Sequence, residues 1–533
     1  MRIAARVFGG WCLIAVIAVT GLAAASSDSH NALQLADAVK AGDHAAVRQL
    51  IDHHADVNTL QSDGSTALFP AVHRDDLDTT DLLLRAGAKV NITNGYGVTP
   101  LWLACRNGNA AIIEKLLSAG ADANASFSTG ETALMNASNS GNAEAVKVLL
   151  SHGANVNAKE PNLGQTALMW AAAEKHPEVV KMLIEHGADI HVRSKGGFTP
   201  LLFAAQAGDL DSARILIDAG EDVNETAPSH GQLAAWGRPD GMSPLVLAAA
   251  MGHEVLGIFL LEKGANANAT DLNGITPLHY AVRKGLSILG DVQYNPYANY
   301  LFRPSMLDLM KALLAHGANP NAQLSKQLPE PPFTRGSRLT TIGMTPFLLA
   351  AAAGDVPAMR VLLAGGADPN IRNAEKVTPL MVSAGMGRFV DFLEGEEQLC
   401  LEAIKLELEL GADVNASTGR GQTALHAAAH SGVNTILQFL VDQGANLNAK
   451  DILGQTPWNM AMGILSEGAL RFEKLDAPHP AAANLLVKLG ATPVLAKELP
   501  PPPESAKEAF YFRRQKGVSG DDDEDTKTPS AQE

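Results

Sequence analysis

Residues 149–157 read LLSHGANVN. A histidine beside a flexible glycine, followed by two asparagines, resembles a site for a substrate or a metal ion. The rest of the chain removes that reading by repetition. LIEHGADIH stands at 183–191, LLAHGANPN at 313–321, and LLSAGADAN, without a histidine, at 116–124. The slot filled by His53, His152, His186 and His316 holds Ala119, Ala219, Lys263 or Gln443 in other copies. General acid–base catalysis needs one positioned group and not a periodic one, so the slot reads as a solvated surface position. The Gly-Ala pair and the final asparagine vary far less, which calls for a mechanical role.

Taking as origin the glycine two residues before Thr-Pro, Ser-Pro or Thr-Ala, copies begin at Gly64, Gly97, Gly130, Gly164, Gly197, Gly241, Gly274, Gly343, Lys376, Gly421 and Gly454. Most intervals are 33 residues, and a degenerate first copy at 31–58 brings the total to twelve. Thr99, Thr199, Ser243, Thr276, Thr345, Thr378 and Thr456 each precede proline. That order puts a capping oxygen at the N-cap and a preset φ at the first helical residue. In the fourth copy Leu134 and Ala137 share one face, and after Gly141 a second helix groups Val146, Leu149 and Leu150 at helical spacing. Gly153 then supplies a left-handed C-terminal cap. HGAN is therefore a helix stop followed by an extended turn. Each helix pair has an apolar face that it cannot bury alone.

GITPLHYAVRKG at 274–285 and GQTALHAAAHSG at 421–432 resemble the signature of the ankyrin repeat family, and related copies run from 31 to about 493. The resemblance implies an all-α solenoid of about twelve helix-turn-helix repeats over 31–494. It also implies hairpin fingers between each final asparagine and the next glycine, and a concave groove lined by fingers and first helices. Stacking buries a shared core and requires modified end copies. The first copy lacks the Thr-Pro start and presents Gln34, Asp37 and Lys40, as a cap would, and His54 stands where later copies have the capping glycine.

The formal net charge is -16 and no basic stripe interrupts it. Phosphate neutralisation supplies most nucleic-acid affinity, so nucleic acid is excluded as a partner. The opening MRIAARVFGGWCLIAVIAVTGLAAASS has Arg2 and Arg6, an apolar run from Val7 to Val19, and small residues at Ala23 to Ala25. This is the anatomy of a signal peptide over 1–25, giving an exported, periplasmic or secreted protein. The alternative is an uncleaved inner-membrane anchor at 7–25, the one reading that involves a membrane. Cys12 follows Gly-Gly-Trp and no lipobox. After cleavage Cys105 and Cys400 remain, seven copies apart. At about 10 Å per helix layer they cannot pair, and both fall in helical patterns that bury them. Six Asn-x-Ser/Thr sequons occur, at Asn91, Asn124, Asn136, Asn224, Asn268 and Asn415, mostly as a by-product of the repeat.

Because the consensus builds scaffold, function is sought where copies depart from it. Finger insertions at 225–240 and 322–342 carry Trp236, Phe333, Arg335 and Arg338. Inserts between the helices of the eighth, tenth and twelfth copies fall at 286–305, 388–399 and 463–476. They bring Tyr294, Tyr297, Tyr300 and Phe302, then Phe389 and Phe392. Two readings stand for these aromatics: contact surface for a partner, shared along one rim, or rings folded back over their own helices.

No Cys-x-x-Cys, His-Glu-x-x-His, Gly-x-Ser-x-Gly or phosphate loop occurs. His426 and His430 stand four apart, the minimum for two metal ligands, but without a third, and His426 fills the family's ordinary T-x-L-H slot. No catalytic, cofactor or metal site is expected. From Leu495 the pattern stops, and 495–533, with AFYFRR at 509–514 and an acidic run at Asp521 to Asp525, reads as a disordered Pro-rich and acidic tail. The functional expectation is a non-catalytic scaffold that binds a protein partner through the groove, fingers and inserts. The alternatives are a hydrolase or redox accessory envelope protein with its chemistry in the inserts, and a self-associating envelope scaffold.

Overall fold

A computed structural model describes residues 33–127, 129–227, 241–282, 305–326, 340–387, 392, 395–464 and 478–500. The secondary structure is helical, and the one β-bridge among the described residues is Ser126 with Thr132. The third copy shows how the sequence builds a pair. Thr99 Oγ1 accepts the Trp102 amide at 3.1 Å, Pro100 opens the helix Pro100–Asn107, and Gly108 ends it at φ 75. Asn109 then caps Ala110–Ser118 through Ala111 and Ile112. Helices this short are marginal in isolation, so packing of their apolar faces holds them.

In the fourth copy Leu134, Ala137, Val146 and Leu149 are buried as the spacing requires. Leu150 departs from the expectation: it is half-buried, and Ala145 completes the inner face instead. Gly153 takes φ 81, with its amide on Leu150 O and the Ala154 amide on Leu149 O. In the first copy His54 adopts φ 61 and closes the same two bonds, to Ile51 O and Leu50 O. Lys376 at φ 63 likewise replaces the glycine that begins other copies. The turn therefore survives a side chain, at some cost in strain. Gln34, Asp37 and Lys40 are exposed on the first copy, consistent with a polar end.

The chain divides into two compact units: residues to 231 with 239–248 and 262–265, and the remainder. In both, the final asparagine of one copy bridges to the next. Asn124 Nδ2 donates to Gly153 O at 3.1 Å while its Oδ1 accepts the Asn155 amide at 2.7 Å. Asn58, Asn91 and Asn157 do the same within the first unit. Asn268, Asn321 and Asn415 do so in the second. This ladder is the mechanical reason for the uniform asparagine. The fingers are tight turns, such as Asn94 N to Val98 O at 3.0 Å, tied to a neighbour by single bonds such as Gly95 N to Asp63 O at 2.7 Å.

Two boundaries differ from the sequence reading. The tenth copy's second helix, Glu396–Glu409, begins inside the insert expected at 388–399 and is the longest among the described residues. Past 494 the chain keeps packing: Leu499 is buried and Pro500 lies where a side chain on Gly454 would meet it. Cys105 and Cys400 are both buried, as the helical pattern required. Burial pushes the Cys105 thiol far up, which favours the protonated thiol over the thiolate.

Candidate partner-binding face

The histidines of the HGAN slot sit at helix C-caps and are exposed, as their interchange with alanine and lysine requires. His186 and His316 hydrogen-bond to the carbonyls of Met182 and Ala312, each at 2.8 Å within its own helix. His426 is a connector. Its Nδ1 accepts the Thr423 amide at 3.1 Å, so the proton lies on Nε2, which faces Gln455 O of the next copy at 3.1 Å. Both nitrogens are engaged within the fold. His279 repeats the arrangement with Thr276 and Met344. Burial pushes both imidazoles down to about 4, so both are neutral at pH 7.

Of the residues singled out by sequence, Trp236, Tyr294, Tyr297, Tyr300, Phe302, Phe333, Arg335, Arg338 and Phe389 lie outside the described residues. Phe392 is half-buried, with a ring edge 3.2 Å from where a side chain on Gly385 would begin.

A different set of aromatics, two pairs and one single ring, lies on the first helices and finger ends of the third to sixth copies. Trp102 stacks on Phe127 with centroids 5.0 Å apart and 24° between planes, and the Arg106 guanidinium lies 5.6 Å over the Trp102 ring. Trp170 is oriented by its indole N–H, which donates to Gln165 Oε1 at 2.9 Å. Phe198 and Phe203 pair at 5.3 Å and 58°. All five rings are half-buried, and Tyr96, at the finger before Trp102, is 74% exposed. Fixed rings with an open face, one carrying a cation, make low-entropy contact surface. The signal was present: Trp102 and Trp170 stand near the start of first helices, in adjacent slots that hold no tryptophan in any other copy.

The ladder loses both of its bonds at two junctions among the described residues, each beside a buried glutamate, while Asn448 keeps one of the two, from the Thr492 amide at 2.9 Å. Between the fifth and sixth copies His191 replaces the asparagine and Glu221 replaces the alanine after the capping glycine, with His191 Nδ1 3.0 Å from Glu221 Oε2. Burial raises the Glu221 carboxyl, opposed by His191, Thr199 and Arg193. Between the ninth and tenth copies Asn370 turns its Nδ2 back to Asp368 of its own copy, at 3.2 Å. A cleft of about 40 Å³ at that junction is lined by Asn370, Arg372, Asp413 and Glu407 among others. Glu407 is 2% exposed and fills the slot that holds Leu149 or Leu440 in other copies.

Models of ankyrin repeats match residues 35–127, 123–194, 165–227 and 228–323 as three-copy sets, 342–374 as one repeat, and 406–461 as a many-copy set. The chain belongs to the ankyrin repeat family. Among similar proteins are the E3 ubiquitin-protein ligase KEG of Arabidopsis thaliana, 27% identical over 44% of this chain and 16% of the ligase. The mouse B-cell lymphoma 3 protein homolog is 29% identical over 30% of this chain and 27% of its own length. In a crystal structure, the human ASB11 ankyrin repeat domain matches at 28% identity and a TM-score of 0.35, over 40% of this chain and 90% of that one. The matched region spans less than a third of the two curated relatives. Ankyrin repeat proteins are generally protein-interaction scaffolds, and the fold is typically non-catalytic.

Proposed function

We propose that this ankyrin repeat protein is a non-catalytic scaffold that seats a segment of a protein partner on the first helices and fingers of its third to sixth copies. The observation that carries this is the set of half-buried aromatics on these copies: the Trp102–Phe127 and Phe198–Phe203 pairs, and Trp170 oriented by Gln165. Such rings, held rigid by stacking and by the Gln165 bond, are the residue type that dominates interface energy. The inserts at 225–240, 286–305, 322–342 and 388–399 are further candidate partner contacts in the same reading. The N-terminal 25 residues act as an export signal, so the partner is sought in the envelope or outside the cell. Retention of the apolar run in the intact mass of the native protein would replace export by anchoring.

The test is capture of partners from the envelope fraction of the native host by the full chain, followed by measured affinity for the purified partner. Trp170→Ala and Phe203→Ala are each expected to weaken binding about 5- to 100-fold. An unchanged affinity with both substitutions present would remove the aromatic face from the interaction.

A further inference from the structure

Five of the six sequons use ladder asparagines, and the atom that a glycan would occupy is the atom that donates to the next copy. Asn91 Nδ2 donates to Gly120 O at 2.9 Å, Asn124 to Gly153 O at 3.1 Å, and Asn224 to Gly264 O at 3.2 Å. Asn268 reaches Gly317 O at 2.8 Å and Asn415 reaches Gly444 O at 3.0 Å. Asn136 is the exception, its Nδ2 donating within its own helix to Thr132 O at 3.4 Å.

We propose that N-glycosylation and repeat stacking are mutually exclusive at Asn91, Asn124, Asn224, Asn268 and Asn415. Transfer from a lipid-pyrophosphate-linked oligosaccharide forms a bond between Nδ2 and the sugar C1, expels the lipid pyrophosphate and removes one Nδ2 proton. Which proton is lost decides the outcome. Asn91 pairs side by side with one stretch of backbone, Nδ2 to Gly120 O and Oδ1 from the Asp122 amide at 2.9 Å. The donated proton therefore lies on the Oδ1 side of the carboxamide. A secondary amide in its trans form places its nitrogen substituent on that same side. The sugar takes the position of the ladder proton, and its bulk falls between the two copies. The converse holds as well: in the folded stack these carboxamides are committed and offer the transferase no free nitrogen. In a compartment with oligosaccharyl transfer the chain therefore either folds with these five sites empty or carries glycans there and does not stack.

The sequon hydroxyls allow a clean test, because Thr93, Ser126, Thr226, Thr270 and Ser417 are exposed and the asparagines can be kept. The full chain carrying Ser138→Ala, which removes the sixth sequon, is directed through the endoplasmic reticulum of a eukaryotic host. It is compared with the same chain carrying Thr93→Ala, Ser126→Ala, Thr226→Ala, Thr270→Ala and Ser417→Ala. The second chain is expected to melt cooperatively. The first is expected either to bear glycans at the five asparagines and lose the cooperative transition, or to melt normally with those sites empty. Glycans at two or more ladder asparagines together with an unchanged melting curve overturn the proposal, as does an unfolded chain whose sites are empty while the substituted chain folds. Should the lumen fold neither chain, protein made in a bacterial cytoplasm is incubated with oligosaccharyltransferase and lipid-linked donor, with and without urea. Modification of the five sites is expected in urea alone. Modification of the folded chain with its helical ellipticity intact overturns the proposal.

Discussion

Ser383 Oγ lies 2.9 Å from Glu407 Oε1 and 3.0 Å from the carbonyl of Ala351, inside a core that other copies build from alanine and leucine. The other carboxyl oxygen, Oε2, is buried without a hydrogen-bond partner. The pair is consistent with a protonated Glu407: the acid donates to Ser383, and the single Ser383 proton goes to Ala351. An ionised carboxylate would take the serine proton and leave Oε2 charged and unsolvated.

Replacing the acid by the residue of the neighbouring copies is therefore expected to stabilise the protein. Glu407→Leu removes one buried, half-satisfied carboxyl and leaves Ser383 its bond to Ala351, for a gain of about 1–3 kcal/mol. Denaturant unfolding of the full chain checks it, and a lower midpoint would show that the cleft beside Glu407 cannot accommodate leucine.

The pH dependence has a definite sign. Burial pushes the Glu407 carboxyl up to about 8, against an ordinary value of 4.5, so the unfolded chain loses this proton first as pH rises. Between those values the folded state holds the extra proton. Its contribution to stability is present below about pH 4.5, declines up to about pH 8 and is gone above it. The nearby elements add no buried countercharge: Arg360, Asp442, Arg372 and Asp413 are all exposed. The difference in melting temperature between Glu407→Leu and the parent should therefore widen from pH 5 to pH 8.5. A constant difference would mean that Glu407 titrates alike in both states.

His279 and His426 work in the opposite direction. Their folded values near 4 lie below the ordinary 6.5, so the unfolded chain takes up protons first as pH falls. The stability they add is complete above about pH 6.5 and lost towards pH 4. Protonation also turns Nδ1 from an acceptor into a donor facing the Thr276 or Thr423 amide. His426→Gln should flatten the acid limb of a stability-against-pH curve, and an unaltered limb would assign acid unfolding to other groups.

The ladder predicts a contrast between two chemically identical substitutions. Asn124→Ala removes two bonds to the next copy and is expected to cost about 1–2 kcal/mol. Asn370→Ala removes one contact to its own Asp368 and is expected to cost under about 0.5 kcal/mol. Equal losses in urea unfolding would show that the asparagine matters to its own turn and not to the junction.

Much of this architecture was legible because a repeat states its rules twelve times over. Comparing His152 with Ala119 was enough to dismiss a catalytic histidine, and Thr99-Pro100 located a helix start within one residue. The aromatic face was not found this way. Trp102 and Phe127 are separated by a whole second helix and turn, and nothing in their spacing says that their rings stack.

Local chemistry alone determined where helices begin and end, because a threonine cap, a proline and a left-handed turn act within a few residues of themselves. It also determined that no single copy could stand alone, since each leaves an apolar face open. Tertiary structure decided what the repeated asparagine does, because its partners are the carbonyl and amide of another copy some thirty residues away. It likewise decided which departures from consensus meet. Ser383 and Glu407 are 24 residues apart in the chain, and only packing of the tenth copy's two helices makes them one hydrogen-bonded pair whose charge state depends on burial.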